Sequence, residues 1–169
     1  MTHTETAAGL EPAGLLLVER IVGDVRLPPL PPGHSPASAR PEHGRFDSRP
    51  DEVADVDEPR MAEKVNAGWY RMAVEYGLFG EEREFFLAVD FSAPEEEDLT
   101  GEHRGWARVR LLDEWDFVRS EVPMLRSALA GLLTDRFVPE FTAVSLDGRV
   151  LLNTTVWGSG KVSTIALRP

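Results

Sequence analysis

The chain has 169 residues, a hydrophobic fraction of 42% and a net charge of −11. That length suits one domain with enough apolar material for a core. The charge sets the chain against nucleic acid and anionic membranes, which bind basic surfaces. The absence of Cys removes disulfides, thiolate catalysis and Cys-ligated zinc together.

Residues 1–13 read as a flexible tail. Glu5 and Glu11 are its charged groups, and the apolar run Leu15–Val18 beyond it is too short for a signal sequence or a membrane span. A cytoplasmic location is the expectation. Lys occurs only at Lys64 and Lys161, all other basic residues being Arg. That bias suits a GC-rich bacterial genome. Asn153-Thr154-Thr155 matches a glycosylation sequon but falls inside a strand-forming run.

Residues 14–27 form an N-terminal strand segment. Leu15, Leu16, Leu17, Val18, Ile21 and Val22 supply apolar and β-branched side chains, and Gly23-Asp24 supplies a turn. Residues 28–56 read as an exposed Pro-rich loop or linker. Seven Pro fall between Pro28 and Pro50, while only Leu30 and Phe46 are large and apolar there. Such a stretch buries too little surface to offset its ordering entropy.

The core domain is expected over 57–169. Asp57 suits an N-cap, with Pro59 in the first turn. Met61, Val65, Trp69, Met72 and Tyr76 then share one helical face, and Gly77 suits a C-terminal cap. Such a stripe is core material before it is a cofactor surface. Arg83–Phe91 and Trp106–Leu112 alternate as half-buried strands do, joined by a long charged loop. A second helix is expected from Ser120 to Phe137, with Leu125, Leu129, Leu132 and Leu133 as its apolar face and Pro139 as its stop. Three strands follow as a β-meander: Phe141–Leu146, Arg149–Trp157 and Val162–Leu167. A two-residue Asp147-Gly148 turn and a Gly158-Ser159-Gly160 turn join them.

The expected fold class is therefore α+β: a mostly antiparallel sheet of five to six strands with two main helices on one face. The order helix, hairpin, helix, meander loosely resembles that of cystatin-like cone folds. This is a likeness of architecture and implies no activity.

The densest charge lies between Glu81 and Glu102. Nine carboxylates (Glu81, Glu82, Glu84, Asp90, Glu95, Glu96, Glu97, Asp98 and Glu102) stand against Arg83, a local charge of −8. A surface of this kind steers a basic partner, or simply keeps a loop solvated. Its acids lack the spacing of an EF-hand. His103 is the one His outside the tail and the Pro-rich segment, which hold His3, His34 and His43. It could pair with Glu102 for acid–base work, but neighbours on one strand point to opposite faces. Gly158-Ser159-Gly160-Lys161 lacks both the first Gly and the following helix of a phosphate-binding loop. On the strand Trp106–Leu112, the side chains Trp106, Arg108 and Arg110 project together, as Asn153 and Trp157 do on a later strand. Trp and Arg dominate binding hot spots. The alternative is a covered face, with the arginines paired to Asp90 across the strand.

These features predict a non-enzymatic acidic domain that binds and masks a basic protein partner, as an immunity or inhibitor protein or a small chaperone does. The expected contact residues are Glu81, Glu82, Glu95, Glu96, Glu97, Asp98, Trp106, Arg108, Arg110 and Trp157. No cofactor, metal, nucleic acid or membrane is expected, and self-association stays open. One alternative is a ligand-binding protein or enzyme of cone-like fold, with a pocket between sheet and helix and polar groups from Tyr70, Tyr76, Asp90 or His103. Another is a subunit of a larger assembly that uses the Pro-rich segment as an arm.

Overall fold

A computed structural model describes residues 1–29, 46–47, 53–91 and 104–167. Its elements in chain order are α1 (His3–Leu10), β1 (Leu15–Ile21), β2 (Phe46–Asp47), β3 (Ala54–Asp55), α2 (Met61–Tyr76), β4 (Glu84–Asp90), β5 (Arg104–Leu111), β6 (Phe141–Val144), β7 (Leu151–Trp157) and β8 (Lys161–Leu167). The strands join one sheet in the order β1-β5-β4-β6-β7-β8-β2, and β3 also pairs with β8. Every pairing is antiparallel. This is an α+β fold, as the alternation of the strands and the stripe of α2 predict.

The helix α2 buries Met61, Val65, Trp69 and Met72 against the sheet, and Gly77 caps it at φ 76°. Trp69 is fully buried and lies within 5.9 Å, ring centre to ring centre, of Phe79, Phe85, Trp115, Phe117 and Phe141. These rings belong to β4, β6 and the segments beside them. The inner face of β4 adds Phe85, Leu87 and Val89; that of β5 adds Ala107, Val109 and Leu111. The loop after β5 is tied to α2 through Asp116. Its Oδ1 accepts from Asn66 Nδ2 at 2.9 Å, from Val118 N at 2.9 Å and from Arg119 N at 2.7 Å. Burial pushes the Asp116 carboxyl up, but these bonds outweigh it and hold the group below its ordinary value.

Several expectations need correction. Residues 1–13, read as a tail, contain α1. Thr2 Oγ1 accepts from Glu5 N at 3.2 Å, and Glu5 Oε2 accepts from Thr2 N at 2.6 Å. This reciprocal capping box starts a helix whose Leu10 is fully buried. The main helix begins at Met61, with Arg60 at the cap position, so Asp57 and Pro59 precede it. Asp57 instead accepts a hydrogen bond from Thr134 Oγ1. Within 28–56, Phe46–Asp47 and Ala54–Asp55 pair with β8, and Ala54 and Val56 are buried.

The helix expected over Ser120–Phe137 is not there. Only two short 3-10 turns form, Pro123–Leu125 and Ala130–Leu132. Longer-range backbone bonds take the groups a helix would use: Ser127 N donates to Val138 O at 2.9 Å, and Glu140 N to Leu125 O at 2.8 Å. Glu121 sits at φ 52°, outside any right-handed helix, and the Ser120 hydroxyl has no hydrogen-bond partner among the described residues. The helix–hairpin–helix–meander order of a cone fold is thus absent.

The C-terminal meander forms, with a change in its first turn. β6 stops at Val144, and Ser145 N donates to Val150 O at 2.9 Å across a four-residue loop rather than a two-residue turn. Ser145 Oγ accepts from Val150 N at 3.0 Å and donates to Asp147 Oδ1 at 2.7 Å, satisfying groups the strands leave open. Gly148 and Gly160 take φ 70° and φ 80° in the two turns.

Trp69→Ala is expected to lower the free energy of unfolding by about 3–5 kcal/mol, the range for deleting a buried aromatic. Urea denaturation followed by circular dichroism measures it; a loss under about 1 kcal/mol would contradict the central place given to this ring.

Candidate functional site

The arginines expected on an open face belong to the outer side of the sheet. Trp106, Arg108 and Arg110 alternate along β5 with the buried Ala107, Val109 and Leu111. β4 presents Glu84, Phe86, Ala88 and Asp90 on the same side, since Glu84 lies opposite Arg110, Phe86 opposite Arg108 and Ala88 opposite Trp106. Asp90 lies opposite Arg104, so the expected pairing of Asp90 with Arg108 and Arg110 gives way to another.

That other partner is Glu84, which is 5% exposed. Arg108 donates through Nε to Glu84 Oε2 at 2.7 Å, and Arg110 donates through Nη2 to Oε1 at 2.8 Å. Arg110 also holds Glu82, and Arg108 Nη1 lies 3.6 Å from Glu19 Oε1 on β1. The bond from Arg110, joined by that from Arg108, outweighs burial and keeps the Glu84 carboxyl below its ordinary value. The same bond raises the Arg110 guanidinium above its own. Carboxylates of this chain neutralise Arg108 and Arg110, whereas Arg104, exposed on the same face, has no ion pair among the described residues.

Trp157 stands on β7, separated from β5 by β4 and β6, yet on the same side of the sheet. Trp106, Phe86 and Trp157 pack, partly buried, around Val144, Leu151, Ile165 and Leu167. Trp157 Nε1 donates to Ser163 Oγ at 2.8 Å, and Asn153 Oδ1 accepts from Thr142 Oγ1 at 2.7 Å. The sheet therefore has a second apolar cluster outside the main core, and the two Trp residues are parts of it.

Glu81 and Glu82 lie in an exposed 3-10 turn before β4. Glu81 has no ion pair among the described residues, and neither do the exposed Glu114 and Asp135. Glu95, Glu96, Glu97, Asp98, Glu102 and His103 lie outside the described residues, as do His34 and His43. Among the described residues no group of three or more His, Asp or Glu is placed to hold a metal ion, and no helix is long and apolar enough to cross a membrane.

Sequence reasoning missed two things. The role of Glu84 depends on register, which the loop length between β4 and β5 leaves open. The other is an open cleft of about 520 Å³ at the far end of β5, lined by Arg20, Ile21, Asp24, Phe91, Arg104 and Trp106 among others. The Arg20 guanidinium lies 3.7 Å from the centre of the Phe91 ring, and its Nη1 donates to Met1 O at 2.8 Å. No local pattern announces this arrangement, because it needs Met1, β1, β4 and β5 together. The pocket reading asked instead for a cavity between helix and sheet, where Trp69 and its aromatic neighbours lie. The polar groups named for that pocket are dispersed: Tyr70 stacks on Trp115 at the surface, and Asp90 is on the outer face.

Compared with protein families, curated proteins and solved structures, the chain matches none.

Because Glu84 titrates lower in the folded protein, its stabilising effect is full above its ordinary value of 4.5 and is lost as pH falls through the lowered one. Glu84→Gln should therefore flatten the fall in stability below about pH 4.5 while lowering stability at neutral pH. Urea midpoints across pH 2–7 test this, and parallel profiles for the two proteins would remove Glu84 from the account.

Proposed function

We propose that this chain is a non-enzymatic interaction domain of a bacterial cytoplasm, whose acidic surface binds and masks a basic protein partner. An immunity or inhibitor protein fits this description, as does a small chaperone. The observation that carries the reading is the pairing of two outer-face arginines within the chain. Arg108 and Arg110 are held by Glu84, Glu82 and Glu19, so this stretch of the face offers little positive charge to an anionic ligand. Arg83 is held by Asp113 and Lys161 by Asp55 in the same way. The charge of −11 is then carried by carboxylates in excess of these pairs. Glu81 and Glu114 are exposed examples, and the run Glu95–Asp98 adds four more in sequence. Opposite charge speeds encounter and fixes orientation more than it adds affinity, so binding of this kind weakens steeply with salt.

A second reading, binding of a small ligand, draws on the cleft at Arg20, Arg104 and Trp106, whose size suits one.

The test is affinity capture from the native host with the intact chain as bait, washed at low and then high salt. One stoichiometric basic protein released by high salt is the expected result. Against that purified partner, changing Glu95, Glu96 and Glu97 together to Gln should slow association and reduce its salt dependence. Unchanged kinetics in the triple variant would take that run out of the contact surface.

A further inference from the structure

The leucines that a helix was expected to bury are displayed instead. Leu125 is fully buried, but Leu129 is 37% exposed, Leu132 83% and Leu133 37%. Three large apolar side chains within five residues form the densest such group among the described residues. Exposed apolar clusters of this kind mark contact surfaces more often than isolated exposed leucines do.

The loop that carries them is well anchored. Its ends are tied by Ser127 N to Val138 O at 2.9 Å and Glu140 N to Leu125 O at 2.8 Å. Ser127 Oγ accepts from Ala130 N at 3.2 Å, and Ala130 is buried in an apolar cluster with Val118, Val138 and Val162. A compact loop closed at its base and plugged into the core holds its tip in place, the usual form of a binding loop.

Acids flank the tip. Asp57 accepts from Thr134 Oγ1, and Arg136 Nη1 donates to Glu58 O at 2.6 Å, which stitches the loop to the segment before α2. Asp57 and Asp135 are exposed and have no ion pair among the described residues. The displayed surface is therefore apolar at its centre, with the carboxylates of Asp57 and Asp135 and the guanidinium of Arg136 at its rim.

We infer that the Leu129–Leu133 loop docks an amphipathic segment of a basic partner, with apolar side chains against the leucines and Lys or Arg facing Asp57 and Asp135. Charge complementarity selects this occupant over an anionic lipid surface, which a chain of −11 repels. The inference rests on the acidic-partner reading and gives that partner its apolar contact.

Two synthetic peptides test it against the full chain by fluorescence anisotropy. One is an amphipathic Leu/Lys peptide long enough for about four helical turns; the other replaces each Leu by Ser. The wild-type chain should bind the Leu/Lys peptide more tightly than the Ser/Lys peptide. Joint L132S and L133S substitution should weaken the Leu/Lys peptide roughly tenfold or more, the scale of losing a binding hot spot. Both leucines are exposed, so circular dichroism should be unchanged. Joint D57N and D135N substitution should lower the salt dependence. If wild type and the leucine variant bind the Leu/Lys peptide equally, the loop inference fails while the acidic-partner reading stands. If neither peptide binds at low salt, the acidic-partner reading fails and takes the inference with it. A concentration-dependent dimer that the leucine variant abolishes would overturn the inference in favour of a second copy of this chain.

Discussion

Trp69 is where helix, sheet and connecting loop meet. It projects from α2 into a ring of aromatic side chains from β4, β6 and the segment after β5. The closest, Phe117, lies edge-on at 4.6 Å. Each such pair adds about 0.5–1.5 kcal/mol beyond the area it buries. The Trp69 indole N–H meets no acceptor among the described residues. Asp116 fixes the loop that brings Trp115 and Phe117 to it, so a polar clamp supports an apolar centre.

The outer face follows a different logic. Its charges do not simply lie on the surface; Glu84 draws two arginines onto one carboxylate, and Glu82 and Glu19 complete the set. Glu84 is the buried member, so removing the arginines would leave its carboxylate without compensation, whereas Glu19 and Glu82 remain in contact with water. Beside it, Phe86, Trp106 and Trp157 gather around a second apolar cluster. A sheet that is apolar on both sides needs cover on both, and α2 serves only one.

Much of the fold is legible in the residues. Strict alternation over Phe85–Phe91 and Ala107–Leu111 marks β4 and β5, because one face of each is buried. The stripe Met61–Met72 marks α2 for the same reason. Misreadings occur where local pattern and tertiary bonding disagree. Leu125, Leu129, Leu132 and Leu133 have helical spacing, yet the backbone at Ser127 and Leu125 bonds across to Val138 and Glu140. The opposite error concerns Thr2 and Glu5, a capping-box pair in plain view within a segment too polar to suggest a helix. The outer-face set Trp106, Arg108 and Arg110 was legible as a set, but its charge state was not. Alternation gives the face and says nothing of which acid lies opposite.

The strand order also bears on how the chain is made. Leu15 on β1 pairs with Leu111 on β5, and among the described residues no nearer segment pairs with β1. A growing chain therefore holds an apolar strand with both edges open until α2, β4 and β5 have been added. Unpaired strands in that state are prone to join the wrong neighbour. The helix α1 packs on β1 and immediately precedes it in the chain. The segment that reads as a tail is thus available to shield this strand before β4 and β5 are made.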